Sequence, residues 1–390
     1  MHHDPRSWTP WPRAFIPAAE NNSRAIGWRE IALLIAAARI IYGVVSIAAF
    51  TNRIRPLVND DPTHISGFLA PLLLPWNQWD AGWYIGLAQR GYQGTALGTA
   101  FQPLYPLLIH VLTPLCGGAP LVAALLISTL CFAIAAWLFV RLVTLRFGSA
   151  VATQGLLLLA IAPDAFFFFT AYSESLFLAL TLATFMCLER RLWPYAGGFA
   201  ALACLTRLSG LALLPALLGA ALMAPSWSAR VRIGAAVLIP PILAVAAYQA
   251  LLVYVWRLPS SSQAEQQGWV QFQPPWVIVA QYWSFLQCGR CYYVYAYTAD
   301  CLLAFLSAAL LIVGVWRLPL TWTLYGLASW TIALTHLRST SRFMLVIFPL
   351  YVVLALLVQK RSLVRLLVVT VSAASLAFLS YEFFVGWFIA

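Results

Sequence analysis

Long stretches of this chain carry no charge. Pro120–Val140 and Ile233–Val255 each run without a single Asp, Glu, Lys or Arg. A helix needs about 20 apolar residues, rising ~1.5 Å each, to cross ~30 Å of hydrocarbon. Segments of this kind recur along the chain, near 31–50, 120–141, 150–163, 172–188, 194–207, 210–224, 233–255, 300–316, 320–336, 343–358 and 363–384. The expected fold is therefore all-α, a polytopic membrane protein of about 11 transmembrane helices. Composition agrees: 62% of the 390 residues are hydrophobic and 9% are charged, against about 25% charged in soluble domains. A mean hydropathy of +0.83 over this length cannot be hidden in one soluble core, since such cores stop growing at roughly 250–300 residues. Soluble enzymes, disordered scaffolds and nucleic-acid binders are excluded.

The formal net charge is +11, with Lys360 the single lysine. The arginines do not form runs with interleaved polar residues. Most stand at the ends of apolar segments, where the positive-inside rule puts them. With the N-terminus in the cytoplasm, the inner side receives 14 of the 23 basic residues, and Arg39 lies inside the first span. The outer side receives eight that the rule does not explain: Arg53, Arg55, Arg90, Arg207, Arg257, Arg290, Arg338 and Arg342. Arg39 is left between pairing with a carboxylate and snorkelling.

Residues 1–29 contain no apolar run long enough for a signal-peptide core, and the first run, Ile31–Phe50, has no small-residue cleavage site after it, so it is expected to be retained. They read as a cytoplasmic segment ahead of one integral-membrane domain, residues 30–390. Two long outer loops are expected, 51–119 and 257–299. Within the first, Gln78–Gly91 and Phe101–Leu115 read as helices lying in the interface. Trp79, Trp83 and Leu87 recur every four residues beside Tyr84 and Ala88, and Gly91 is the expected stop. Of seven cysteines, Cys131, Cys187 and Cys204 read as buried thiols. Cys288 and Cys291 form a lone C-x-x-C, with no second pair to make a zinc site, and suit a disulfide if their loop faces an oxidising space.

Only 12 acidic residues occur, and eight of them map to the outer side: Asp60, Asp61, Asp80, Asp164, Glu174, Glu265, Asp300 and Glu382. Ionisable groups beside an apolar slab are costly to retain and tend to serve function. Asp80 stands out among Trp76, Trp79, Trp83 and Tyr84. Desolvation by those rings raises a carboxyl pKa and a cation such as Arg90 lowers it. A carboxylate so placed is suited to act as a base on a hydroxyl, and its bland alternative is capping of an interfacial helix. Asp164 and Glu174 flank a short outer turn, suited to helix capping, to pairing with Arg207, or to holding sugar hydroxyls or a divalent cation. Arg207, and the cluster His336, Arg338, Ser339, Thr340, Ser341 and Arg342, offer planar donor forks to a phosphate. A base and a cationic clamp at the outer leaflet fit group transfer from a lipid-linked phosphosugar. No cofactor is required by that chemistry.

The residues around Asp80 also carry a resemblance. Trp79-Asp80-Ala81-Gly82-Trp83-Tyr84, continuing to Ala88-Gln89-Arg90-Gly91-Tyr92, resembles the W-D-x-x-W-Y…A-x-x-G-Y signature of the PIG-V family. These are the GPI α-1,6-mannosyltransferases, which have bacterial relatives. Phe101-Gln102-Pro103-Leu104-Tyr105-Pro106-Leu107, Tyr172-Ser173-Glu174-Ser175-Leu176-Phe177, Leu205-Thr206-Arg207 with Gly210, and Ser341-Arg342-Phe343 before Pro349 follow in the family's order. The chain departs from the pattern at Phe101-Gln102, where Phe-Phe is more usual.

The resemblance implies a GT-C glycosyltransferase that moves mannose from a polyprenyl-phosphate mannose donor, with inversion, to a glycolipid or glycan acceptor. It implies Asp80 as the catalytic acid/base position. With it, Trp79, Trp83, Tyr84, Asp164, Glu174, Arg207, Arg338 and Arg342 are the expected substrate-binding residues, and outer-loop aromatics Trp269, Trp276, Tyr282, Trp283, Tyr292 and Tyr293 are expected to stack on sugar or prenyl groups. The expected location is a bacterial plasma membrane, or the endoplasmic reticulum membrane in a eukaryote, with the active site on the outer face. Membrane lipids are partners and nucleic acid is not. Two other readings remain at this level: a flippase-like lipid or solute transporter, whose inverted repeats the sequence does not display, and a catalytically inactive subunit of a membrane complex.

Overall fold

The structure is a computed structural model that describes residues 26–389 apart from 53–64, 66, 94, 269–276, 278–279, 281–282, 285–286, 288–290 and 336–338. Regular structure among the described residues is helical throughout. In chain order the α-helices are α1 (Trp28–Asn52), α2 (Ala70–Leu73), α3 (Asp80–Arg90), α4 (Leu104–Leu112), α5 (Pro120–Phe147), α6 (Ser149–Ala160), α7 (Glu174–Glu189), α8 (Trp193–Thr206), α9 (Leu213–Leu222) and α10 (Trp227–Ala250). They continue with α11 (Ser261–Gly268), α12 (Cys291–Val315), α13 (Leu320–Ala333), α14 (Thr340–Leu345), α15 (Phe348–Val358) and α16 (Ser362–Val385).

Each of the eleven apolar segments is built mainly of helix. Four of these helices, Trp28–Asn52, Pro120–Phe147, Trp227–Val255 and Ser362–Val385, are long and apolar enough to cross a membrane by length and composition. The others are shorter. The run expected at 150–163 is helical only to Ala160, and the one at 210–224 divides into a 3-10 turn, Leu208–Ala212, and α9. Conversely, α5 extends to Phe147 and takes in Arg141 and Arg146, because their guanidinium groups leave the apolar face. Arg141 lies over the Trp137 ring, and Arg146 pairs with Glu189 at the end of α7.

Packing contacts run in sequence α10–α8–α7–α5–α6–α15–α12–α13–α9 and return to α10, while α1 lies against α5 and α16. At one end of α7 the 3-10 turn Ala165–Phe169 buries four consecutive phenylalanines. Phe168 stacks on Phe132 at 4.8 Å, and Phe169 meets Tyr42 of α1. This aromatic knot is the floor on which the polar residues of the next section stand. Arg39 neither pairs with a carboxylate nor leaves the bundle. It donates to the Leu125 carbonyl at 2.8 Å and to the Thr129 hydroxyl across the α1–α5 contact, and lies over Trp76 and Phe169. An intramembrane guanidinium is thereby satisfied without an anion.

The expected loops hold helices. α3 stops at Gly91 as its sequence indicates, but its buried face is turned from the expected stripe. Ala81, Tyr84, Ile85, Leu87 and Ala88 are buried, and Trp79 and Trp83 lie at the edge of that face. The i, i+3, i+4, i+7 spacing from Ala81 to Ala88 is the better helical stripe. In the second loop, α12 begins at Cys291, nine residues before the expected start at Asp300, since no Gly or Pro interrupts Cys291–Ala299. Cys288 and the Cys291 side chain lie outside the described residues.

Candidate active site at the head of α7

Asp80 is the first residue of α3, and the backbone in front of it is unusual. Trp79 has φ 53° and ψ −116°, the dihedrals of the first central residue of a type II′ turn, a position that glycine ordinarily fills. The Ala81 N–H donates to the Gln78 carbonyl at 3.1 Å, closing that turn. A bulky residue held there stores about 1–3 kcal/mol of strain and persists only where its surroundings over-determine it. Tyr172 supplies part of that constraint. Its hydroxyl donates to the Gln78 carbonyl at 3.1 Å and accepts the Asp80 N–H at 3.2 Å, stapling both sides of the turn.

The Asp80 carboxylate, 15% exposed, accepts at Oδ2 from Arg342 Nη1 at 2.7 Å. It makes no side-chain cap for α3. Its cation is Arg342 of α14; Arg90, ten residues along α3 and about 15 Å away along the axis, is exposed. Arg342 Nε stands 3.3 Å from Glu174 Oε1, and the same oxygen accepts from Arg207 Nη1. Glu174, at the head of α7, is fully buried, while Arg207 and Arg342 are nearly so. Asp80, Arg342, Glu174 and Arg207 thus form a continuous alternation of charge.

Buried charges survive when paired and hydrogen-bonded, and further contacts meet that condition. Arg207 Nη1 donates to Ser173 Oγ at 3.3 Å, and Ser173 Oγ bonds the Tyr84 hydroxyl at 2.8 Å. The Phe343 ring lies 4.5 Å from the Arg207 guanidinium, and Arg342 faces Tyr172 at 5.2 Å. Burial by itself lowers the Arg342 pKa, but the Asp80 and Glu174 carboxylates more than offset it and hold the guanidinium above its ordinary value.

Asp164 points to a neighbouring node. It and Asp300 lie close to Ser341, whose N–H donates to Asp300 Oδ1 at 3.0 Å. Burial pushes Asp164 up to about 6, against the opposing effects of Ser341 and Arg342. Two buried acceptors, Asp164 Oδ1 and Glu174 Oε2, have no hydrogen-bond partner among the described residues.

The structure therefore brings together Asp80, Glu174, Arg207 and Arg342, with Asp164 beside them. Tyr84 is buried with its hydroxyl on Ser173, Trp83 stacks on Phe101 at 5.7 Å, and Trp79 donates its indole N–H to the Trp387 carbonyl. Arg338, His336, Trp269, Trp276 and Tyr282 lie outside the described residues, as do the side chains of Tyr292 and Tyr293; Trp283 is exposed. Among the described residues no three His, Cys, Asp or Glu side chains converge to hold a metal ion.

Three contributors had no assigned role in the sequence. Ser173 and Tyr172 fall in a motif whose acid drew attention first. Glu265 of α11 lies in the field of Arg207, and burial raises its pKa to about 7 although Arg207 opposes this. The signal for α11 was present locally: Ser260 and Gln263 form a reciprocal capping box, and Gln249 bonds both the backbone and the hydroxyl of Ser261.

A second ion pair, Arg146–Glu189, sits at the opposite end of α7. The two groups of ion pairs thus lie at the two ends of this 16-residue helix, about 24 Å apart.

The family model described as Mannosyltransferase (PIG-V) matches residues 25–222, a stretch that contains Asp80, Asp164, Glu174 and Arg207 and ends before Arg342. The chain matches no curated protein. Among solved structures it is similar to ArnT from Cupriavidus metallidurans bound to undecaprenyl phosphate. Identity is 13%, coverage is 92% of this chain and 76% of that one, and the TM-score is 0.49.

Proposed function

This chain belongs to the mannosyltransferase (PIG-V) family and is a membrane glycosyltransferase, and from that premise we propose that it moves mannose from a polyprenyl-phosphate mannose to a hydroxyl of a glycolipid or glycan, with inversion, in the GT-C manner. The eleven helical segments are the crossings, the N-terminus is cytoplasmic, and the site opens on the outer face. The observation that carries the reading is Asp80. It is a partly exposed carboxylate fixed through Oδ2 by Arg342, with Oδ1 left to meet an acceptor.

In this reading the acceptor hydroxyl attacks C1 of the mannose as Asp80 Oδ1 takes its proton. The bond from C1 to the phosphate oxygen breaks, and its electron pair leaves with the polyprenyl phosphate. That leaving group needs cationic stabilisation rather than a proton. The guanidinium groups of Arg207 and Arg342, nearly buried beside Glu174 and Asp80, are suited to bind its oxygens. Glu174 Oε2 and Asp164 Oδ1 are suited to accept from mannose hydroxyls.

The test is transfer by the purified protein in lipid, with labelled polyprenyl-phosphate mannose and a membrane extract as the source of acceptor. The parent should form a labelled product, and Asp80→Asn should lower the rate about 10²–10⁴-fold. Transfer by Asp80→Asn at the parental rate would remove the base assignment. Absence of transfer by the parent from mannose, with transfer from another lipid-linked sugar, would replace the donor.

A further inference from the structure

The turn that delivers Asp80 is held from one side by Tyr172. Its other side is held by the segment just beyond α16. Gly386, with φ 99°, turns the chain out of the helix, and the Trp387 N–H bonds back to the Glu382 carbonyl at 3.0 Å. The turn places the Trp387 carbonyl 3.2 Å from the Trp79 indole nitrogen, as acceptor of its N–H. The Phe388 ring stands edge-on to Trp79, with centroids 5.0 Å apart at 84°. One turn earlier, Phe384 packs on Trp76 at 4.7 Å, and Phe383 contacts Tyr172 at 6.1 Å, Phe166 and Phe167. The same short segment therefore touches Trp79 directly and supports the tyrosine that staples the turn.

Trp79 has a backbone conformation that its own side chain disfavours. A residue in that state returns to φ < 0 unless its side chain is tied down, and any such return swings the following residue. We propose that Trp387–Phe388 is a positioning latch: by fixing the Trp79 ring it holds the Gln78–Ala81 turn in its strained form and keeps Asp80 aligned with Arg342. Phe388 reaches the turn through the Trp79 ring. This inference rests on the reading of Asp80 as the acceptor's base.

The experiment uses the full chain in lipid nanodiscs and compares the parent with Phe388→Ala and Phe388→Tyr. The first readout is hydrogen exchange at the amides of residues 79–82, which needs no substrate. Phe388→Ala should speed exchange there about tenfold, as local opening becomes easier, with helices α5 and α7 unaffected. Phe388→Tyr, which keeps the ring, should match the parent. The second readout is transfer: Phe388→Ala should lower kcat about tenfold, as expected for a misplaced reacting group, and leave the donor KM within about twofold. Unchanged exchange at 79–82, loss of protection spread over the whole protein, or failure of Phe388→Tyr to restore the parental pattern would each overturn the latch. If the parent transfers no sugar, the proposed function fails, and the exchange comparison still decides the latch.

Discussion

Arg342 donates to Asp80 at 2.7 Å although 262 residues separate them in the chain, and its Nε also faces Glu174. One guanidinium thus ties α3 to the head of α7. Its removal leaves Asp80 without its cation and Glu174 with Arg207 alone, so Arg342→Ala should destabilise the protein by about 3–5 kcal/mol. Glu174→Gln should also destabilise it, and the double variant should lose less than the sum by more than about 1 kcal/mol, because the residues form one network. Thermal unfolding of the four proteins in the same lipid measures this, and simple additivity would argue that the charges act independently.

Arg207 is aimed by a close backbone approach. A Cβ on Gly210 would lie 2.7 Å from both Cα and N of Cys204, backbone atoms that cannot give way without moving the end of α8. Gly210→Ala should therefore destabilise by about 1–3 kcal/mol and displace Arg207 from Glu174. Gly198→Ala, where a Cβ meets nothing within 4 Å, is the control and should behave as the parent in the same melt.

Asp164 gives a pH dependence of definite sign. Its folded pKa of about 6 exceeds that of the unfolded chain, near 3.9, so the folded state holds the proton more tightly. The resulting stability is present below about pH 4 and is lost as pH rises to about 6, by no more than about 3 kcal/mol. Asp164→Asn should flatten that part of the stability curve while leaving the rest. A parent whose midpoint rises between pH 4 and 6 in step with the variant would remove Asp164 as the cause.

Glu265 should affect the donor site in the same way that a competing anion would. Raised to about 7 beside Arg207, it is neutral below that pH and charged above it. The donor KM should rise as pH passes through 7, by about fivefold, which is on the order of 1 kcal/mol between like charges at an effective dielectric near 20. Glu265→Gln should abolish the rise. Initial rates at pH 6 and 8 in parent and variant decide it.

The helices and the charges that meet in the site were legible in the sequence for a simple reason. Lipid demands long uncharged helices, and the few charges that remain are conspicuous. Asp80, Glu174, Arg207 and Arg342 were all singled out on that ground, and they meet in one cluster. The pairing was not legible, because residue types mark cost without marking partners. Arg90, near Asp80 in sequence, is exposed at the far end of α3, whereas Arg342 arrives from another helix. Tyr84, Leu87 and Ala88 are buried as their place in the apolar stripe indicates, but the edge position of Trp79 and Trp83 was not legible for a related reason: a four-residue repeat of large rings does not reveal which face the neighbouring helices will cover.

The sequence by itself determined that this protein is a helical membrane protein with few acids and with arginines that the ends of apolar segments do not account for, since hydropathy and charge are properties of residues taken one at a time. Only the tertiary structure decided which acid meets which arginine. It likewise decided that Trp79 carries a glycine-like turn, and that a segment beyond α16 holds it. Those outcomes depend on contacts between residues up to 308 positions apart, and such contacts are set by how helices pack, which no local pattern records.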